Sequence, residues 1–193
     1  MIILLRYNGK TREEKSFSMK KEDKMVKLTG IVMIIVSSGF LGNYIYKTLR
    51  NRCTMLKDIL TSIDILQAEI VFKRSGLHTA VNTVKARTGS DVSGFWEEVI
   101  RALNNNEGAE KGFDKGLAIL KNRGLSKEDV DAIKLLGGVL GKYDSFEQAR
   151  LMKNIKELIT VQYKDAVKEL ADKGKLYRAM GISIGIVVAL VIV

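Results

Sequence analysis

The chain of 193 residues contains no proline, a single cysteine and a single histidine. One cysteine, Cys53, excludes an intramolecular disulfide framework and a Cys-rich zinc module. One histidine means that a His/Cys metal site or a Ser-His-Asp triad would rest on His78 alone. Strand signals are missing too, since no window shows β-branched alternation. Acidic residues are outnumbered: 22 Asp and Glu face 32 Lys and Arg, for a net charge of +10. Such a balance raises nucleic acid as a partner, so the placement of the cations decides the question. With 46% hydrophobic residues the chain can bury a core, and its length suits one domain with appendages.

What is present is concentrated at the two ends. Nineteen residues from Leu28 to Tyr46 carry no charge and are bounded by Lys27 and Lys47, about the length a helix needs to cross roughly 30 Å of hydrocarbon. A second uncharged run, 179–193, follows Arg178. It corresponds to about 22 Å of helix, enough to span or insert deeply if Tyr177 sits at the interface and Arg178 snorkels. Neither run shows polar residues at a helical period, which disfavours a buried core helix. Ser37-Ser38-Gly39 could mark a signal-peptide cleavage site, but apolar residues continue through Tyr46 and then meet Lys47, Arg50 and Arg52. That pattern fits an uncleaved anchor better.

Residues 1–24 are polar, charged and without helical period after a short apolar start, and are expected to be a non-native leader or a disordered extension. Met25 opens a Met-Val-Lys-Leu start, and Lys21-Glu22-Asp23 can be encoded by a purine-rich ribosome-binding sequence, so Met25 is the expected first residue. The expected organisation is then an N-terminal transmembrane helix over 25–46, a helical bundle over 47–178 and a membrane segment over 179–193. Lys47, Arg50, Arg52 and Lys57 follow the first span, and Lys164, Lys168, Lys173, Lys175 and Arg178 precede the second. The positive-inside rule places the bundle in the cytoplasm and both termini outside.

Between the spans the pattern predicts six helices, two of them long, and an all-α bundle. Leu49, Cys53, Leu56, Leu60, Ile63, Gln67 and Ile70 form a seam widened by Met55, Ile59 and Leu66, within a stretch, 47–74, free of Pro and Gly. The matching long helix starts after Asp144-Ser145 and carries Ala149, Met152, Ile155, Ile159, Ala166 and Leu170 on one side. Shorter helices centre on Leu77–Val84, Phe95–Leu103, Phe113–Leu120 and Val130–Leu140, the last opened by a Ser126–Asp129 capping box.

No catalytic, cofactor or metal constellation assembles. Gly137-Gly138-x-x-Gly141 lies late in a helix without a preceding strand or a Lys-Ser/Thr, so tight packing is the better reading than a nucleotide loop. His78 lacks a supporting partner, and Cys53 occupies a seam position. Glu97-Glu98 and Glu107/Glu110 match no Ca²⁺ loop. Trp96 sits among core-type residues. Interior cations alternate with acids, as in Lys127-Glu128-Asp129 and Lys168-Glu169, which describes a solvated helical surface rather than a nucleic-acid stripe.

The order of segments carries a resemblance. Leu60-x-x-Ile63-x-x-Leu66-Gln-Ala-Glu69-Ile70, Gly124-Leu125-Ser126-x-x-Asp129, Leu136-Gly137-x-x-Leu140-Gly141-x-x-Asp144-x-x-x-Gln148 and Tyr177-Arg178-x-Met180-Gly181 together resemble the stage III sporulation protein AB family of endospore-forming Firmicutes. The chain departs from it at Ser75-Gly76-Leu77, where the family has Thr-Pro-Leu, and over residues 1–24. The resemblance implies a non-enzymatic platform component of the channel between mother cell and forespore, in the mother-cell membrane. Its soluble part would be similar to the F-type inner-membrane platform of type II secretion and type IV pilus machines. Implied partners are a hexameric secretion ATPase, stage III sporulation protein AA, other membrane proteins of the channel and the lipid bilayer, with self-association into a homo-oligomer left open. No cofactor is implied. Glu69, Asp144 and Gln148 are the implied partner-contacting residues, against a purely structural reading in which Asp144 caps a helix with Gln148 beside it. A membrane-anchored sensor or signalling subunit is the competing reading, and it would require an extracytoplasmic domain or a ligand pocket.

Overall fold

The computed structural model describes the backbone of residues 2–192 and the side chains of residues 25, 28–177, 179–181, 183–188, 190 and 191. Among the described residues there are six α-helices, one π-helical turn and no strand. In chain order they are α1 (Ile2–Gln67), the π turn (Ala68–Phe72), α2 (Leu77–Arg87), α3 (Ser93–Asn104), α4 (Ala109–Lys121), α5 (Lys127–Val139) and α6 (Ser145–Ile192). The first and last helices run on through the apolar ends, as the absence of proline allows. The backbone of residues 2–24 is helical, whereas their side chains lie outside the described residues; the expected leader therefore stays an expectation.

The chain divides into two compact units, one formed by 46–175 and the other by 1–45 with 176–193. In the larger unit the core-facing side of α1 is Met55, Leu56, Ile59, Ile63 and Leu66, all fully buried. Leu49, Leu60 and Gln67, also on the predicted seam, are only half-buried. The residues that widened the seam are thus its deepest part, because α1 meets several helices at once rather than one. Opposite it, α6 buries Met152, Ile155, Ile159 and Ala166.

The short helices fill the space with an aromatic cluster. Phe95, Trp96 and Phe113 meet edge-to-face with centroids 4.8, 4.9 and 5.7 Å apart. Each such side chain stabilises by about 1.5–3 kcal/mol through burial, and the ring geometry adds about 0.5–1.5 kcal/mol per pair. Trp96 donates its indole N–H to Ser62 Oγ at 3.1 Å, so the buried polar atom is satisfied. Two glycines set the spacing of this layer. A Cβ on Gly116 would stand 2.6 Å from the Phe95 ring, and one on Gly137 would stand 2.7 Å from Phe113. Gly137 therefore packs α5 against α4, the role expected for the Gly137-Gly138-x-x-Gly141 run.

A buried ion pair ties the long helices to this layer. Arg52 of α1 donates from Nε and Nη2 to the two carboxylate oxygens of Asp129, at 2.7 and 3.0 Å, and from Nη1 to Glu169 of α6 at 3.1 Å. Asp129 is fully buried and also closes the capping box of α5, where Ser126 N–H donates to its Oδ2 at 2.9 Å. The capping box was legible in the sequence; its second use by Arg52 was not.

Leu28–Phe72, which starts in the smaller unit and continues into the larger, is the one stretch of helix among the described residues long and apolar enough to cross a membrane. In its part within the smaller unit the large side chains stand open: Phe40 is 72% and Tyr44 68% exposed. Ser37 and Ser38 donate their hydroxyls to the carbonyls of Met33 and Ile35, which satisfies them within the helix. The C-terminal part of α6 lies against this segment through small residues. A Cβ on Gly181 would come within 2.7 Å of Ser38 O and 3.0 Å of Gly42 Cα, and one on Gly185 within 3.0 Å of Ile35 Cα. Ser38-x-x-x-Gly42 facing Gly181-x-x-x-Gly185 is the close backbone approach that apolar helices use to pair where no hydrophobic driving force exists.

Removing Arg52 would leave the Asp129 carboxylate buried without its cation. Arg52→Ala is expected to lower unfolding stability by about 3–5 kcal/mol. Urea unfolding of the detergent-solubilised chain, followed by the fluorescence of Trp96, measures it; a loss under about 1 kcal/mol would show that solvent already screens the pair.

Candidate interaction site

The end of α1 departs from the expected uninterrupted helix over 47–74. From Ala68 to Phe72 the backbone widens into a π turn, closed by Lys73 N–H donating to Ala68 O at 3.1 Å. Arg74 then takes a left-handed backbone with φ of 54°, and the chain turns into α2. Single π turns place side chains that a regular helix could not, and they occur often at functional positions.

Glu69 sits inside this turn and is buried. Its carboxylate accepts from Lys73 Nζ at 2.7 Å and from Ser75 Oγ at 3.0 Å, while its carbonyl accepts from Ser75 N–H at 2.8 Å. The hydrogen bond from Lys73, with that from Ser75 behind it, holds the Glu69 carboxyl below the usual glutamate range, against the opposing effect of desolvation. Glu69 is therefore a group spent on shaping the turn and not an open surface contact.

Asp144 and Gln148 lie at the start of α6. The exposed Asp144 caps the helix: its Oδ1 accepts from the N–H groups of Phe146 and Glu147 at 2.9 and 3.0 Å, and its carbonyl accepts from Gln148 N–H at 2.9 Å. Gln148 is buried. The fold brings these residues near the π turn, since Gln67 Nε2 donates to Ala149 O at 3.4 Å. Glu69 thus shapes the turn and Asp144 caps the helix, and all three predicted residues lie near these two helix ends.

Beside the two helix ends opens a groove of about 780 Å³, lined by Gln67 of α1, by Val71 and Phe72 of the π turn and by Phe146, Ala149, Arg150 and Lys153 among the residues of α6. Phe72 is 83% exposed and Phe146 82% exposed, the most open large apolar side chains of the larger unit. Two phenyl rings held in water at the rim of an apolar groove mark a contact surface. Arg150 pairs with Glu147, and Lys156 with Asp64. Neither phenylalanine was singled out from the sequence. Phe146 stands three residues before Ala149, so its helical period points inward, but it lies one turn beyond the last layer of core. Periodicity records the side of a helix and not where the core ends.

Other candidate residues fall elsewhere. His78 is exposed in the first turn of α2, Cys53 is buried in the seam, and the Glu97, Glu98, Glu107 and Glu110 carboxylates are engaged by Lys85, Arg101, Lys115 and Lys142. Gly76, at the departure from Thr-Pro-Leu, has φ of −61° and ψ of 151°, a conformation that proline adopts without strain. The turn consequently keeps a proline-compatible shape in proline's absence.

Comparisons with known proteins agree with one another. The family model described as Stage III sporulation protein AB matches residues 27–193. Stage III sporulation protein AB of Bacillus subtilis (strain 168) is 23% identical over 170 residues, which is 87% of this chain and 99% of the relative. A solved structure of Stage III sporulation protein AB matches with a TM-score of 0.56 at 20% identity, over 62% of this chain and 96% of that one. At that identity the structural likeness concerns the fold.

Two outcomes are expected from the turn. Because the folded-state pKa of Glu69 is depressed, its contribution is fully present above the ordinary glutamate range and is lost as pH falls through the folded value. Glu69→Gln should flatten that part of the stability–pH curve, as read by acid titration of Trp96 fluorescence; an unchanged acid limb would remove Glu69 from that role. Gly76→Pro should raise stability by about 0.4–1 kcal/mol by restricting the unfolded chain, since nothing lies within 4 Å of a Cβ at Gly76. A lowered melting temperature would contradict the proline-compatible turn.

Proposed function

Because the chain belongs to the stage III sporulation protein AB family, we propose that it is a non-catalytic membrane platform of the channel between mother cell and forespore, coupling a secretion ATPase to the membrane complex. In this reading 25–46 and 179–193 lie in the mother-cell membrane, with both termini outside. The bundle over 47–178 stands in the cytoplasm, where the hexameric ATPase, stage III sporulation protein AA, meets it. The exposed apolar residues of Leu28–Tyr46 support the anchor. The glycine contacts between α1 and the end of α6 support a paired second membrane segment.

The observation that carries the reading is the groove edged by Phe72 and Phe146. A platform that relays motion needs a rigid, preformed contact surface, and this one is built from two helix ends braced by buried or capping polar residues. Phe72 and Phe146 are the contacting residues, whereas Glu69, Asp144 and Gln148 position them. Aromatic anchors at the centre of such a surface carry most of the binding energy, commonly about 2 kcal/mol or more each.

Co-purification of the full chain with the family's ATPase tests the assignment. Phe72→Ala with Phe146→Ala should weaken the complex at least about tenfold, with the melting temperature unchanged because both side chains are already solvated. Charge reversal of Glu69 is a poorer probe, since it sets a cation beside Lys73 and disturbs the turn itself. Full retention of the ATPase by the double variant would move the dock elsewhere on the bundle.

A further inference from the structure

At the other end of the bundle, about 30 Å back along α1, the fold gathers cations that the sequence keeps far apart. Thr48 lies against the turn between α4 and α5, where a Cβ on Gly124 would stand 2.8 Å from Thr48 Cγ2. Arg52 bonds Asp129 just after that turn and Glu169 on α6, and Gly174 packs on Tyr46, where a Cβ would lie 3.2 Å from its ring. The segments 46–52, 121–129 and 168–175 therefore share one end.

Lys47 and Arg50 of α1, Lys121 and Lys127 flanking the α4–α5 turn, and Lys168 and Lys175 of α6 are all exposed there, and among the described residues none of them forms an ion pair. Most other cations on or next to the short helices are paired, Arg87 and Lys111 being exceptions among the described residues. Lys85, Arg101, Lys115, Lys134 and Lys142 are each held by a carboxylate. The acids at the cationic end are fewer: Glu169 is taken by Arg52 and Lys173, leaving Glu128, Asp165 and Asp172 exposed. Lys168 stands beside Glu169 in sequence, but that carboxylate turns to Arg52 and Lys173; Lys127 stands beside Glu128, which forms no ion pair among the described residues.

We propose that this end of the bundle is a seat for anionic lipid headgroups, in which the α4–α5 turn, through Lys121 and Lys127, joins Lys47, Arg50, Lys168 and Lys175 in binding lipid phosphates. The inference rests on the membrane reading above, because α1 and α6 leave the bundle for their apolar segments at this same end. Flanking lysines alone would only orient the spans. Lysines from a turn more than seventy residues from Lys47 have no part in that signal, and their convergence makes a surface. Basic clusters beside a membrane span are attracted to anionic leaflets over about a Debye length, and salt weakens them.

The test uses the full chain in nanodiscs of phosphatidylcholine alone and of phosphatidylcholine with phosphatidylglycerol, with amine acylation of each lysine quantified by mass spectrometry. Acylation of Lys121 and Lys127 should fall at least threefold in the anionic discs and recover in 0.5 M NaCl. Lys111 and Lys153, which lie away from this end, should not change. Lys121→Glu with Lys127→Glu should also restore acylation of Lys168 in the anionic discs. Equal acylation in both discs overturns the lipid seat while leaving the membrane reading intact, whereas failure of the chain to enter either disc overturns the membrane reading and this inference with it. Equal protection by inorganic phosphate in neutral discs, or by added RNA, overturns the proposal in favour of a soluble anion or a nucleic acid.

Discussion

One guanidinium and one carboxylate hold the bundle in register. Asp129 can satisfy the start of α5 or bind Arg52, and it does both: one oxygen receives Ser126 N–H and Arg52 Nε, the other receives Arg52 Nη2. Burying these charges is costly unless every lone pair finds a donor. The observed geometry meets the demand by bringing α1, the start of α5 and α6 together at Arg52. The apolar core then follows, with Met55 through Leu66 delivered to the height of the Phe95, Trp96 and Phe113 cluster. Hydrophobic burial supplies most of the driving force but is non-directional; the ion pair adds a directional contact that favours this axial position.

That fixed axis separates two ends with opposite chemistry. At one, the π turn and the start of α6 leave Phe72 and Phe146 in water over an open groove. At the other, the Arg52 network neutralises the central acids and leaves lysines of three segments without an ion pair among the described residues. A bundle whose far end offers apolar anchors, and whose near end is cationic where its helices run on into apolar segments, suits a part standing between a membrane and a soluble machine. Rigidity suits it as well, since Glu69 and Asp144 tie down both helix ends at the groove and little side-chain ordering remains to oppose binding.

Much of the fold was legible in the residues. Hydrophobic periodicity gave the six helices, Ser126 and Asp129 gave a cap, Asp144 gave another, and the uncharged run from Leu28 gave the apolar helix. The π turn was not legible, because nothing in Ala68-Glu69-Ile70-Val71-Phe72 breaks a helix. What widens the backbone there is the inward demand of Glu69 for Lys73 and Ser75, a preference that shows only when the carboxylate is buried. The site was half legible for a related reason. Glu69, Asp144 and Gln148 stood out as polar residues beside helix ends, and the fold brings those ends together; the two open phenylalanines beside them did not stand out.

The sequence by itself determined the helical class, the length of the apolar helix and the local caps, because these depend on residues within about one or two helical turns of one another. Only the tertiary structure decided which carboxylate answers Arg52, where the core stops short of Phe146, how Gly181 and Gly185 meet Ser38, and that Lys121 and Lys127 stand with Lys47. Each of these depends on groups brought together from distant parts of the chain. A linear pattern can show that a side chain is charged or apolar, but whether it is paired, covered or left open is a property of its neighbours in space.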